Sequence, residues 1–179
     1  MKYGEVENLE TRFRMKNGDV KHGLMSASFL ELDGVPHIIS ITRDITERKQ
    51  AAEAIRESEA NLSSLINNRN ESIWSLDKNY NFITFNTFFS EAYFAAYNVK
   101  LKKGMNAVEM LTPELQAFWK PKYDSALSGR KTMFEFSTQL GNALQYFEVN
   151  FNPIILDGII TGVSAISVDI TERKQAEEE

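Results

Sequence analysis

Asp169-Ile170-Thr171-Glu172-Arg173-Lys174-Gln175-Ala176, close to the end of the chain, repeats Asp44-Ile45-Thr46-Glu47-Arg48-Lys49-Gln50-Ala51 without a change, at an offset of 125 residues. Identity over such a run at one offset marks a structural unit written twice. Upstream the likeness continues as pattern. Leu32-Asp33-Gly34 stands against Leu156-Asp157-Gly158, and Asn17-Gly18 against Gly141-Asn142. The two copies cover residues of about 9–50 and 133–175.

Each copy reads as an antiparallel three-strand meander, because apolar and polar residues alternate and Asn-Gly or Asp-Gly pairs supply turns that need positive φ. In the second copy Phe134 and Phe136 alternate with Glu135 and Ser137, and Phe147, Val149 and Phe151 with Glu148 and Asn150. A β-rich run from Ile159 to Val168 follows the Asp157-Gly158 turn. In the first copy the strands run over about 9–16, 20–31 and 36–43. The second copy follows some 65 residues of mixed structure, whereas the first has almost nothing before it. The first copy therefore reads as the back half of a domain whose front half is absent from this chain, and three strands bury little without a covering partner.

Between the copies Glu47 to Asn68 favours helix, with Thr46 as the expected N-cap and Glu47 in the first turn. Ala51, Ile55, Ser58, Leu62 and Leu65 fall on a heptad a/d stripe. Two readings fit: an amphipathic helix packed on its own domain, or a two-chain coiled coil. Beyond it, Ser72 to Asp77 and Tyr80 to Phe85 read as strands, and Asn86 to Tyr97 as a helix capped by Asn86. A short helix is expected over Ala107 to Leu111. A longer one is expected over Pro113 to Ser128, opened by Thr112 and closed by Gly129. The order is β-β-α-α-α-β-β-β.

This order, ending in Asp-Ile-Thr-Glu-Arg-Lys-Gln, resembles the PAS family of sensory domains. The resemblance covers residues of roughly 60–171 and the C-terminal half of a second copy at about 5–46; Ile83-Thr84-Phe85-Asn86 is a weaker family-like element. It implies an α+β fold: a five-stranded antiparallel sheet with short helices on one face, preceded by a linker helix and a partial three-stranded copy. The domains expected are 1–46, a partial copy; 47–68, a signalling helix; 69–171, a complete PAS domain; and 172–179, the start of an outgoing helix. PAS domains sense a ligand or bind partners and pass the signal along a flanking helix. Tandem arrays are typical of sensor histidine kinases and cyclic-di-nucleotide enzymes. The implied function is a sensory or signal-relay region of a multidomain signalling protein; the alternative is a dimerisation module with a filled core.

Composition narrows the chemistry. The chain has 179 residues, 42% hydrophobic and 25% charged, which are ordinary globular values. With no cysteine, disulfides, Cys–zinc sites, thiolate catalysis and the cysteinyl-flavin adduct of PAS photoreceptors are excluded. The histidines, His22 and His37, both lie in the partial copy, so a His-ligated haem in the complete domain is excluded too. Neither histidine has the helical context of a kinase phospho-acceptor. Met105, Met110 and Met133 read as core filling rather than metal ligands. The nine glycines form no phosphate-cradling loop. A net charge of −5 argues against a nucleic-acid face. No apolar run reaches the length of about 18 residues that spans a membrane, so no membrane contact and a cytoplasmic location are expected. No catalytic set is visible, and the chain is expected not to be an enzyme.

The expected cofactor is a small organic ligand or none. By alternation Phe134, Phe136, Phe147, Val149 and Phe151 share the helix-facing side of the sheet. By the family pattern Val163, Ala165 and Ser167 join them. Phe85, Met105 and Tyr123 are candidates for the opposite wall, and Ser167, Thr138 and Tyr123 for its polar contacts. A packed core and a ligand cavity both fit this list. The opposite face of the last strand carries Ile166 and Val168, matched by Ile39 and Ile41, and is expected to be covered by the 47–68 helix or by a second chain. Ile55, Leu62, Leu65, Ile166 and Val168 are thus the candidate homodimer or helix interface. Asp44, Thr46, Asp169 and Thr171 are the candidate signal joint toward a downstream output domain, each an acceptor for orphan N–H groups of a helix start. Met25, Ala27 and Phe29 line an inner face of the partial copy that lacks its own helices.

Overall fold

A computed structural model describes residues 5–140 and 143–178. The expected Gly141-Asn142 turn lies outside the described residues, as does Glu179. The chain divides into two compact units, Met1–Leu62 and Ser63–Glu179.

In the first unit β1 (Glu5–Arg14), β2 (Val20–Leu32) and β3 (Val35–Asp44) form an antiparallel meander in that order. Asp33 and Gly34 turn β2 into β3 with φ of 50° and 76°, the paired positive values of a two-residue hairpin turn. Pairing of β2 with β3 is uninterrupted from Gly23↔Asp44 to Leu32↔Val35. Side chains of Met25, Ala27 and Phe29 share a face with Thr42, Ser40 and Ile38. That face is open: Phe29 is 61% exposed and Ile38 66%. Ile39 and Ile41, on the other face, are 53% and 72% exposed. The cover expected from the following helix is therefore not formed. That helix, α1 (Thr46–Asn67), buries none of its residues, and Ile55, Leu62 and Leu65 all point to solvent.

The second unit is a five-stranded antiparallel sheet in the order β5-β4-β8-β7-β6. Its strands are β4 (Ser72–Asp77), β5 (Phe82–Phe85), β6 (Thr132–Leu140), β7 (Ala143–Leu156) and β8 (Ile159–Asp169). Helices α2 (Thr87–Tyr97) and α3 (Pro113–Leu127) pack on the face lined by Trp74, Val149, Phe151, Val163 and Ala165, all buried. The cross-strand pairs Phe134↔Val149, Phe151↔Ala165 and Trp74↔Ala165 keep that face in register across the sheet. At the centre of the sheet β8 meets β4 so closely that a Cβ on Gly162 would stand 2.2 Å from the Leu76 carbonyl oxygen.

The copies differ in register at two places. The β1–β2 pairing shifts between Val6 and Leu9, where β6–β7 is uninterrupted. Between β7 and β8 the register shifts, with Ile154 opposite Gly162 but Ile155 opposite Ile160. Thr161 is the unpaired extra residue, a β-bulge that the first copy lacks. It converts the 124-residue offset between the Asp-Gly turns into the 125-residue offset between the octapeptides.

Three expectations are corrected. Ala107 to Leu111 is a turn rather than a helix. The Asn106 side chain accepts from Val108 N–H and Glu109 N–H at 2.9 and 3.0 Å, holding the run as a local turn. Thr112 precedes α3, but its side chain makes no cap hydrogen bond. The second strand starts at Phe82, because Asp77 accepts from Asn79 and Asn81 N–H and Tyr80 takes φ of 64° to close the turn. Asn86 caps α2 as expected, accepting from Phe89 N–H at 3.0 Å. It also accepts from Ile73 N–H and donates to the Ile66 and Glu71 carbonyls. A single buried amide thus fastens β4, α2 and the last turn of α1.

Candidate functional site

The helix-facing side of the five-stranded sheet is not completely filled. Toward one end a cavity of about 150 Å³ remains. Cross-strand pairing brings Ser72 of β4 opposite Ser167 of β8, and Phe136 of β6 opposite Phe147 of β7; Thr138 stands two residues beyond Phe136 on the same face. These residues form the sheet wall. Helix α2 supplies Phe89, Ala92, Tyr93, Ala96 and Tyr97, spaced at three and four residues so that they share one stripe. From α3 come Trp119 and Tyr123, four residues apart. Trp74, Phe82, Ala107 and Leu111 complete the wall, and Ala92, Ala96 and Tyr97 frame an exposed mouth.

The rings are held by one another. Trp74 stacks on Phe89 at 4.6 Å and 12° between planes, and its indole Nε1 donates to the Tyr123 hydroxyl at 3.2 Å. Tyr123 in turn stacks on Phe151 at 4.6 Å. Because the Tyr123 oxygen accepts from the indole, its own O–H proton remains available to donate. Burial pushes the Tyr123 phenol up from its ordinary value, and pushes Tyr93 up to about 12. Burial raises Tyr97 as well. The site thus offers neutral hydroxyls, and among the described residues no Asp, Glu, Lys, Arg or His side chain lines it.

Of the residues singled out in the sequence, Tyr123, Phe136, Thr138, Phe147 and Ser167 reach this cavity. Val149, Phe151 and Ala165 do not; they are buried in the core. Phe85, Met105 and Phe134 pack against the core from its flanks rather than walling the cavity. Phe85 turns its ring edge to Phe82 at 5.7 Å, and Phe134 is taken up by Phe118, Trp119 and Phe151. Sequence reading missed Trp74, Phe89, Tyr93, Tyr97 and Trp119. The stripe at 89, 93 and 97 was the available signal.

A second constellation joins each sheet to its outgoing helix, α1 or α4 (Thr171–Glu178). Asp44 accepts from Thr46 N–H at 2.9 Å and Asp169 from Thr171 N–H at 2.8 Å, so the aspartates cap the helices. The threonines do not. The Thr46 hydroxyl accepts from His22 N–H at 2.9 Å and that of Thr171 from Tyr146 N–H at 3.0 Å. The carbonyls of His22 and Tyr146 accept from Ile45 and Ile170 N–H. Each threonine therefore extends the strand ladder into the helix start, which corrects the capping role expected for it. An ion pair repeats too: Lys49 with Glu10, and Lys174 with Glu135 at 2.8 Å. The Asp44 carboxyl sits well below its usual range, held there first by the Lys21 ammonium and then by Thr46. The Glu135 carboxylate raises Lys174. Ile166 is 37% exposed and Val168 half-buried.

Among the described residues no group of His, Asp and Glu clusters as a metal site, and no helix is long and apolar enough to cross a membrane. His37 spends a ring nitrogen on the Val35 carbonyl at 2.9 Å.

A family profile described as the PAS fold matches residues 66–175. No curated protein matches the chain. Among solved structures, the PAS domain of BvgS from Bordetella pertussis is similar with a TM-score of 0.51 and 17% identity, covering 71% of this chain and 96% of that one. The phage VqmA–DPO complex is similar with a TM-score of 0.54 and 16% identity, over 72% of this chain and 60% of that one. A sensory box sensor histidine kinase from Vibrio cholerae is 22% identical, with a TM-score of 0.46 over 68% of this chain and 98% of that one.

Proposed function

This chain belongs to the PAS family, and from that premise we propose that it is a sensory and signal-relay region of a multidomain signalling protein, a sensor histidine kinase. The observation that carries the reading is the aromatic cavity of about 150 Å³ at one end of the complete domain's sheet. Its wall strands β7 and β8 meet the outgoing helix through Tyr146 and Asp169. A small organic ligand bound between Trp74, Trp119 and Phe147 would bias the spacing of those strands. The Asp169–Thr171 joint would carry that bias into α4. A ligand acts only through its differential affinity for two arrangements, so the joint must have two.

On this reading the chain turns over no substrate, contacts neither nucleic acid nor membrane, and works in the cytoplasm. It pairs with a second copy through the exposed stripe of Ile55, Leu62 and Leu65, and its output domain follows in the same protein. Native mass spectrometry of the freshly purified chain tests the reading. A bound small molecule at one per PAS domain supports sensing. A clean apo mass, with the cavity unresponsive to small-molecule libraries, converts the protein to an interaction module.

A further inference from the structure

We propose, resting on the sensory reading above, that the occupant of the cavity is an uncharged aromatic molecule about one ring in size, carrying a hydrogen-bonding atom at one end. Three observations point to it. The volume of about 150 Å³ matches a cavity of about 150 Å³ that takes a benzene-sized guest. The lining is aromatic on both sides, with Trp74, Phe89, Trp119 and Tyr123 already arranged in stacked and edge contacts that a further ring extends. The polar side-chain groups along it are uncharged: the hydroxyls of Ser72, Thr138 and Ser167 from the sheet and of Tyr93, Tyr97 and Tyr123 from the helices, and the indole N–H groups of Trp74 and Trp119, the first already donated to Tyr123. Hydroxyls both donate and accept, so they suit a phenol, an amide or a ring nitrogen.

Among the described residues the lining carries no charged side chain, and that decides the class. A carboxylate or ammonium brought into this site would lose its hydration and find no counter-charge. Dicarboxylates, amino acids and phosphates are therefore excluded as occupants. Ala92 and Ala96 at the mouth admit a flat ring past α2 without displacing a large side chain.

The chain carries its own reporter. Its only two tryptophans, Trp74 and Trp119, both line the cavity. Titration of the purified chain with phenol and benzamide, against benzoate and benzylammonium, is followed by tryptophan fluorescence and by melting temperature. Phenol and benzamide should shift the emission saturably and raise the melting temperature, with the charged pair at least about tenfold weaker. Ala96→Phe, which plugs the mouth, should abolish the response while far-UV circular dichroism stays unchanged. Thr138→Val should weaken phenol about threefold to tenfold. Charged probes binding as tightly as neutral ones would overturn the inference and leave the sensory pocket standing. Silence from both classes would overturn both. A phenol response untouched by Ala96→Phe would place the ring elsewhere and overturn the inference alone.

Discussion

Thr132 shows how one side chain can sit at odds with its surroundings. Its hydroxyl is buried without a hydrogen-bond partner, on the inner face opposite Phe151. An unpaired buried hydroxyl costs about 1–3 kcal/mol. Thr132→Val keeps the β-branched shape and removes that cost, so it should stabilise the second unit by about 1 kcal/mol, read from the urea midpoint. The buried phenols make a prediction of the opposite kind. Tyr93 is pushed up to about 12 from 10.0 by burial, and Tyr123 rises for the same reason. A folded-state value above the unfolded one gives stability that is whole below pH 10 and is lost as pH rises through the folded value. Denaturation midpoints should therefore hold to about pH 10 and fall steeply toward pH 12. Tyr93→Phe should flatten that fall.

At the level of elements the joint between sheet and helix is the part worth dissecting, because the same atoms recur twice in one chain. Asp169 caps α4, while Thr171 ties α4 to β7. The two side chains therefore do different work. Thr171→Val should cost about 1 kcal/mol and speed hydrogen exchange at the Tyr146 amide. Asp169→Ala should instead speed exchange at the Thr171 amide and cost a similar amount, about 1 kcal/mol. If both variants speeded the same amides, the division of labour drawn here would be wrong. The Lys174–Glu135 pair adds an alkaline limit. Lys174 is raised by Glu135, so its contribution is complete below 10.5 and lost above the folded value. Glu135 is exposed and Lys174 only half-buried, and a pair this open to solvent contributes little.

For the whole molecule the unmet apolar surface sets the expectation. Ile55, Leu62 and Leu65 are 61%, 59% and 59% exposed along one heptad stripe, and Phe29 and Ile38 stand open on the first unit. Isolated exposed apolar residues are normal, but a seam at heptad spacing is what a second helix packs against. On the proposed reading the chain sediments as a dimer at micromolar concentration. Leu62→Glu with Leu65→Glu should shift it to monomer while the tryptophan emission of the second unit stays as it was. A dimer that survives both substitutions would place the contact elsewhere.

Local pattern alone was enough for the strands, their alternating faces, the Asp-Gly turns and the Asn86 cap, because each depends on residues close in sequence. The repeated octapeptide was also legible as a strand feeding a helix. What decided the cavity was different. Trp74, Phe89 and Trp119 lie on three elements far apart in the chain, and only the sheet order β5-β4-β8-β7-β6 sets them around one space. The same holds for Gly162, whose missing Cβ matters because the Leu76 carbonyl of another strand arrives there. It holds too for the threonines of the joint, whose hydroxyls serve a strand about 25 residues upstream rather than their own helix. Periodicity tells which side of an element turns inward. Which inward residues meet, and whether they leave a hollow, is fixed by strand pairing and the packing of helices across it.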